Sequence, residues 1–182
     1  MAKMFDDVLH WRQRLVENLI GEVLEIGAGS GSNLPLYRRA AHVWATEPDA
    51  DAASKATLAA ASASVPVQVR VAPAESLPFA ADSFDHVVSS LVFCSVTDPA
   101  QALAEIGRVL RPGGVLHMLE HVRPGFAPLS WAAGAITPAW SRMAGGCHLD
   151  RPTVDLLADH GWQVTIHRRI GIFVRMSATR KS

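Results

Sequence analysis

Cysteine is nearly absent from this chain, and what little there is excludes two classes of protein. Cys94 and Cys147 are its two cysteines. They lie far apart and without metal-ligand spacing, so neither a disulfide framework nor a zinc cluster follows, and no metal is expected. Net charge is missing too: 17 Lys and Arg balance 17 Asp and Glu. No long-range field therefore draws in nucleic acid or anionic lipid. Adjacent arginines occur only at Arg38-Arg39 and Arg168-Arg169. No apolar run is long enough for a bilayer, which needs about 20 residues. The most apolar stretch, Phe126 to Trp140, is interrupted by Pro128, Gly134 and Pro138. Asp6 and Asp7 break the N-terminus before a signal peptide develops. These absences leave a single domain over residues 1–182 in a reduced, cytoplasmic setting. A chain of this length buries roughly 70% of its unfolded surface in one core. A small molecule is the expected partner, with no nucleic acid and no membrane span; monomer is the simplest oligomeric state.

What is present concentrates in Val23-Leu24-Glu25-Ile26-Gly27-Ala28-Gly29-Ser30-Gly31-Ser32-Asn33. Apolar residues around one acid, then glycine at every second position, read as a buried parallel strand entering a tight loop beside a ligand. Twenty residues past Gly27 stands Glu47, at the end of the apolar run His42-Val43-Trp44-Ala45-Thr46. An acid on the tip of the neighbouring strand can accept from both hydroxyls of a ribose. A nucleoside cofactor is the expectation.

Which nucleoside follows from what the loop lacks. A dinucleotide fingerprint is G-x-G-x-x-G, with a pyrophosphate over the helix N-terminus. Here the spacing is G-x-G-x-G, and Ser32 stands where the third fingerprint glycine belongs. Glu25 places a carboxylate inside the strand, unwelcome beside a pyrophosphate but useful beside an ammonium. S-adenosyl-L-methionine has no phosphate and carries an ammonium and a sulfonium, so it suits this arrangement better than a nicotinamide dinucleotide.

Glu25-Ile26-Gly27-Ala28-Gly29-Ser30-Gly31, Glu47-Pro48-Asp49, Ala74-Glu75-Ser76-Leu77-Pro78-Phe79, Ser83-Phe84-Asp85 and Arg108-Val109-Leu110-Arg111-Pro112-Gly113-Gly114 resemble the ordered motifs of class I S-adenosylmethionine-dependent methyltransferases. The resemblance runs from about Gly21 to the C-terminus. Within that superfamily, Leu91 to Val96, Glu120-His121-Val122 and the stretches Pro138 to Trp140 and Gly146 to Leu149 are similar to the thiol S-methyltransferase group of methyltransferase-like proteins. The microsomal members carry a hydrophobic N-terminal anchor, and the interrupted N-terminus here departs from them. The resemblance implies a Rossmann-like α/β fold: a mostly parallel seven-stranded sheet, helices on both faces, and an antiparallel last strand. It implies adenine recognition in the loop at Ala74 and Glu75. The family often has Asp just before that Ala; Pro73 stands there instead, which leaves the contact to the Ala74 backbone and Glu75.

Periodicity fills in the rest. Residues 5–20 read as an amphipathic helix, with a short helix at 34–40 and helices at 51–63, 99–110 and 151–161. Strands are expected over 66–71, 85–91, 115–122, 162–170 and 172–179, the last two an antiparallel pair about Gly171. Arg111-Pro112-Gly113-Gly114 reads as the stop signal of the fourth helix. Residues 123–150, with Trp131, Trp140 and almost no charge, read as a lid insertion over the substrate end of the sheet.

Ligands of open parallel sheets bind beyond the carboxyl ends of the strands. Cofactor contacts are therefore expected from Glu25, Gly27, Ala28, Gly29, Gly31, Asn33, Glu47, Pro48, Ala74, Glu75 and Leu91. Asn33 is expected to bond the methionine carboxylate, or else simply to start a helix. His121 and His148 are candidates to accept an acceptor proton, and Glu120 to orient His121 or bind a cationic amine. A thiol needs little such help, being a few per cent thiolate at pH 7. Methyl transfer to a small apolar acceptor, preferably a thiol, is the leading expectation. N- or O-methylation of a phospholipid headgroup, quinone or phenol is the alternative, and a non-catalytic adenosyl-binding module is a third.

Overall fold

The computed structural model describes residues 10–122 and 151–181. The segment expected to be a lid, 123–150 with His148, and residues 5–9 of the expected N-terminal helix lie outside those residues. Seven strands are present: β1 (Gly21–Ile26), β2 (Ala40–Glu47), β3 (Val67–Val71), β4 (Phe84–Ser90), β5 (Leu110–His121), β6 (Trp162–Ile170) and β7 (Phe173–Arg180). Helices are α1 (10–16), α2 (Ala50–Ala60), α3 (Pro99–Val109) and α4 (Thr153–Asp159), with a 3₁₀ turn at Leu34–Leu36.

The strands form one sheet in the order β3-β2-β1-β4-β5-β7-β6. β1 to β5 pair in parallel, while β7 runs antiparallel to β5 and β6. Their central members are apolar on both faces, as a sheet covered on both sides requires. On one face Leu24, Ile26, Val87, Leu116 and Met118 pack with Leu103 and Ile106 of α3 and Leu157 of α4. On the other Val23, Val43, Val88 and Leu119 meet Trp11, Leu15 and Val16 of α1 and Ala56 of α2. Adjacent residues thus serve opposite cores, the period-two alternation of a strand. Side-chain caps start two helices: Asp49 Oδ1 accepts from the Ala52 amide, and Asp98 Oδ1 from the Gln101 amide.

Three expected boundaries move. The segment expected to be helical over 34–40 is a single 3₁₀ turn, because Ala40 already pairs with Gly21 in the sheet. Helical residues at the N-terminus stop at 16, leaving the chain free to turn into β1. The helix expected over 99–110 ends at Val109, just before Arg111-Pro112-Gly113-Gly114, but that stop segment is itself strand. It lies inside β5, which begins at Leu110 and bulges between the pairs Phe84↔Leu110 and His86↔Val115. Gly113 takes φ +79° there, open to glycine at no steric cost.

Candidate functional site

The carboxyl ends of β1, β2 and β4 open on two adjoining cavities. The larger, of ≈ 600 Å³, is lined by Gly27, Gly29, Glu47, Pro48, Pro73, Ala74, Glu75, Leu91, Val92 and the loop onward to Asp98. The smaller, of ≈ 250 Å³, shares Gly27, Gly29 and Leu91 and continues to Arg12, Glu25, Ala28, Ser30, Ser32, Asn33 and Ser90. Ten of the eleven expected cofactor residues line one or both; Gly31 lines neither. Gly31 serves packing instead: a Cβ there would meet Ala56 Cα at 2.8 Å.

Two glycines show what the loop needs. Gly27 has φ +57°, and an added Cβ would lie 2.6 Å from Val92 Cγ1. Gly29 has φ +56° with nothing within 4 Å of such a Cβ, so its conformation alone asks for glycine. Its amide donates to Glu47 Oε2 at 2.8 Å, and the Asp49 amide donates to Oε1 at 3.1 Å. Those two bonds fix the carboxylate at the rim of the larger cavity, and each oxygen keeps a lone pair. A ribose diol fits this acceptor pair, the first observation favouring a nucleoside.

Glu75 lines the same cavity, but Oε1 also accepts from the Thr97 and Asp98 amides at 2.9 and 3.1 Å. It ties the Ala74–Glu75 loop to the start of α3. Leu91 lies at the junction of the cavities with φ +62°, a left-handed conformation seldom taken by a bulky residue. Its amide donates to the Leu119 carbonyl at 2.7 Å, which anchors the strain on β5.

Beneath the smaller cavity Glu25 is buried. Tyr37 Oη donates to Oε2 at 2.7 Å and Asn33 Nδ2 to Oε1 at 3.0 Å. Burial pushes the Glu25 carboxyl up to about 7, against the lowering effect of those bonds and of Arg12. The Tyr37 hydroxyl is likewise raised by burial and by Glu25. Asn33 gives one of its two amide N–H groups to Glu25, and its Oδ1 is buried without a partner. Nor does its side chain cap the 3₁₀ turn.

Glu120 and His121 also need correction. As neighbours on a strand they point to opposite faces, so Glu120 does not orient His121. Glu120 is fully buried, out of reach of a cationic amine. Its Oε1 accepts from Ser89 Oγ at 2.6 Å and from the Val92 and Phe93 amides at 3.1 and 3.3 Å. Burial raises its carboxyl to about 7. From the other side Arg151 Nη1 donates to the carbonyls of Phe93 and Val96. Glu120 and Arg151 thus clamp the 91–96 wall by its donors and its acceptors. His121 stacks against Phe173 with ring centroids 4.7 Å apart, outside the lining of both cavities. Burial lowers its pKa, so it is neutral at pH 7. Among the described residues no cluster of His, Cys, Asp and Glu is placed to hold a metal.

Arg12, Tyr37 and Arg151 were not singled out in the sequence. Each belongs to the site through contacts 12 to 58 residues away, or from a helix that no motif marks.

Comparison with known proteins agrees with this arrangement. Residues 24–118 match the methyltransferase domain family. Thiol S-methyltransferase TMT1B of Homo sapiens is 38% identical over 137 residues, 72% of this chain and 55% of the relative. Thiol S-methyltransferase TMT1A of Homo sapiens is 33% identical over 134 residues, 71% of this chain and 54% of that protein. The chain thus spans about half the length of the curated relatives it matches. An S-adenosylmethionine-dependent methyltransferase from Mesorhizobium loti superposes with a TM-score of 0.72 at 19% identity, covering 97% of this chain and 99% of the other.

Proposed function

Because the chain belongs to the class I S-adenosylmethionine-dependent methyltransferases, a family whose cofactor is S-adenosyl-L-methionine, we propose that it methylates a small apolar acceptor, a thiol by preference. The observation that carries the thiol reading is the match to two human thiol S-methyltransferases across some seven-tenths of the chain. The apolar wall at Leu91, Val92 and Val96 supports an apolar acceptor.

The residues present fit the cofactor. Glu47, held by two amides, takes the ribose hydroxyls. Pro48, Ala74 and Glu75 border the adenine side of the larger cavity, and Gly27, Ala28 and Gly29 let the backbone approach the tail. Asn33 Oδ1 and Glu25 supply acceptors for the ammonium. When bound, S-adenosyl-L-methionine supplies an electrophilic methyl group on sulfur, to which a thiolate forms its S–C bond as the carbon–sulfonium bond breaks, the electron pair staying with the departing thioether and the thiol proton going to solvent. The chain's own share is positioning and exclusion of water. An aligned pair of reactants gains several kcal/mol from proximity alone. A thiol's pKa near 8.5 leaves a reactive fraction at pH 7 without an obligatory base. His121, neutral by burial, and His148 are this reading's candidates to pass that proton on, and a pH–rate profile unchanged in His121→Asn with an apolar thiol would remove the first.

The test is transfer of labelled methyl from S-adenosyl-L-methionine to a panel of apolar thiols, phenols, quinols and amines. Thiols are expected to show the highest kcat/KM. Transfer confined to phenols, quinols or amines overturns the acceptor class. Tight cofactor binding with no transfer to any of them makes the chain a binding module.

A further inference from the structure

We propose that Arg14, Arg168 and Arg175 form a receptor for a doubly charged phosphate group, free or carried on a monoester, on the side of the sheet that α1 covers. None of the three lines either cavity, so this is a second site, apart from the cleft described above.

β7 brings in the central member. Arg175 pairs with Leu119 of β5, and Leu119 belongs to the core beneath α1, so Arg175 lies on that face. Its neighbours Val174 and Met176 are buried in the opposite core, as alternation requires. Arg168 arrives by a departure from alternation. Ile166 pairs with Met176 and Arg168 with Arg175, which makes His167 one extra residue in β6. Without that bulge Arg168 would share the face of Ile166. The bulge turns it over and sets it directly opposite Arg175. Two cations facing each other across an antiparallel pair destabilise it, where an acid at either position would stabilise it.

α1 supplies the third. Burial, and then the charges of Arg14 and Arg168, lower the Arg175 pKa, so both guanidiniums are near enough to repel it. No acid offsets them. Among the described residues none of the three arginines takes part in an ion pair or a hydrogen bond, and Arg175 Nε is buried without a partner. Glu17, the acid that follows α1, accepts from Gln13 Nε2. Farther along the same face stand His117 and Ser177, and neither is an acid.

The donors are available. Arg14 and Arg168 are exposed and Arg175 is half-buried. Arg168 lies over the Trp11 ring, 6.0 Å from its centroid, a contact that uses no N–H group. One carboxylate answers one guanidinium through its two oxygens. A phosphate group brings two charges and more acceptor oxygens, which suits three guanidiniums carried by a helix and two strands.

The experiment follows thermal melting and calorimetric binding of the full chain with inorganic phosphate, with glycerol 3-phosphate, and with sodium chloride at matched ionic strength. Chloride screens repulsion, whereas an anion bound to the folded state adds a saturable stabilisation. In the unsubstituted protein phosphate is expected to bind with a Kd of about 1 mM or tighter and to raise Tm by about 3 °C more than chloride. Arg175→Gln weakens binding about tenfold or more. Arg168→Gln removes an exposed side chain and one half of the opposed pair. It melts higher than the unsubstituted protein without phosphate and gains less from phosphate, a crossover that a purely structural arginine would not give. Tighter binding of inorganic phosphate marks the free anion as the ligand, and tighter binding of glycerol 3-phosphate marks a phosphate ester; both support the site. A rise no larger than chloride gives, or binding undiminished in both Arg168→Gln and Arg175→Gln, overturns it. So does binding that Arg12→Gln abolishes while those two variants keep it, which puts the anion in the smaller cavity.

Discussion

Glu47 on β2 and Glu120 on β5 stand at the same end of one sheet with β1 and β4 between them, and both carboxylates accept from backbone amides, yet they do different work. Glu47 accepts from Gly29 and Asp49 at the rim of a cavity that it lines. Glu120 accepts from Ser89, Val92 and Phe93 with no access to solvent, and its second oxygen has no partner. The same group with the same kind of donors opens on the cleft on the β1–β2 side and is a buried structural anchor on the β4–β5 side. What separates them is access to the cleft, and chemical identity says nothing about that.

The largest effect that would break this comparison is on Glu120. Glu120→Ala leaves three buried donors without an acceptor and a void behind the 91–96 wall. Unfolding free energy is expected to fall by on the order of 4 kcal/mol, read by chemical denaturation. A change below about 1 kcal/mol would show that the wall is held by Arg151 alone.

A second prediction uses the proton on Glu120. Its folded pKa is raised to about 7 from 4.5 by burial. The folded state therefore binds the proton more tightly than the unfolded chain between those values. The stabilisation is complete below about pH 4.5 and is lost as pH rises through about 7. Glu120→Gln keeps an acceptor oxygen and removes the titration. The stability of the unsubstituted protein minus that of Glu120→Gln should fall by up to about 3 kcal/mol from pH 4.5 to 7.5. Using the difference cancels Glu25, raised in the same way, and His117, whose pKa burial lowers to about 4 and which acts in the opposite sense. A difference constant with pH would mean that Glu120 ionises normally.

Glu47→Ala gives the converse result. Cofactor binding should weaken by on the order of 2–3 kcal/mol, measured by calorimetry, with a much smaller change in unfolding free energy. Comparable loss in both would put Glu47 with Glu120, as an anchor.

The two sides also differed in how far the sequence disclosed them. The glycine loop and Glu47 were legible because their relation is nearly local: one strand, one turn, and an acid twenty residues on. The sheet was legible for a similar reason, since runs such as Val23 to Ile26 and Val43 to Glu47 are short, apolar and bounded by turns. The β4–β5 side is assembled from distant parts. Arg151 reaches Phe93 across 58 positions, with no motif to mark it. Glu120 and His121 look like a pair because they adjoin in sequence, and strand alternation sends them to different cores. Pro112-Gly113-Gly114 reads as a stop because those residues usually end helices, and α3 does end before them; what they do not disclose is that the sheet absorbs them as a bulge.

The smallest expected effect lies at Leu91, where the two sides meet. Its φ of +62° is held by the bond to the Leu119 carbonyl. A left-handed conformation costs a residue with a Cβ about 1 kcal/mol, and glycine almost nothing. At an ordinary position glycine is less stable than alanine by about 0.5–1 kcal/mol, through the entropy of the unfolded chain. Leu91→Ala and Leu91→Gly both remove the same apolar wall, so the difference between them isolates the backbone. If the strain is real, the usual order disappears or reverses, with Leu91→Gly at least as stable as Leu91→Ala in parallel thermal melts. Both variants should bind the cofactor more weakly, since Leu91 lines both cavities. Leu91→Ala more stable than Leu91→Gly by the ordinary margin would show that the loop relaxes into a right-handed conformation once the side chain is gone. The clamp formed by Glu120 and Arg151 would then not reach as far as the cofactor's wall.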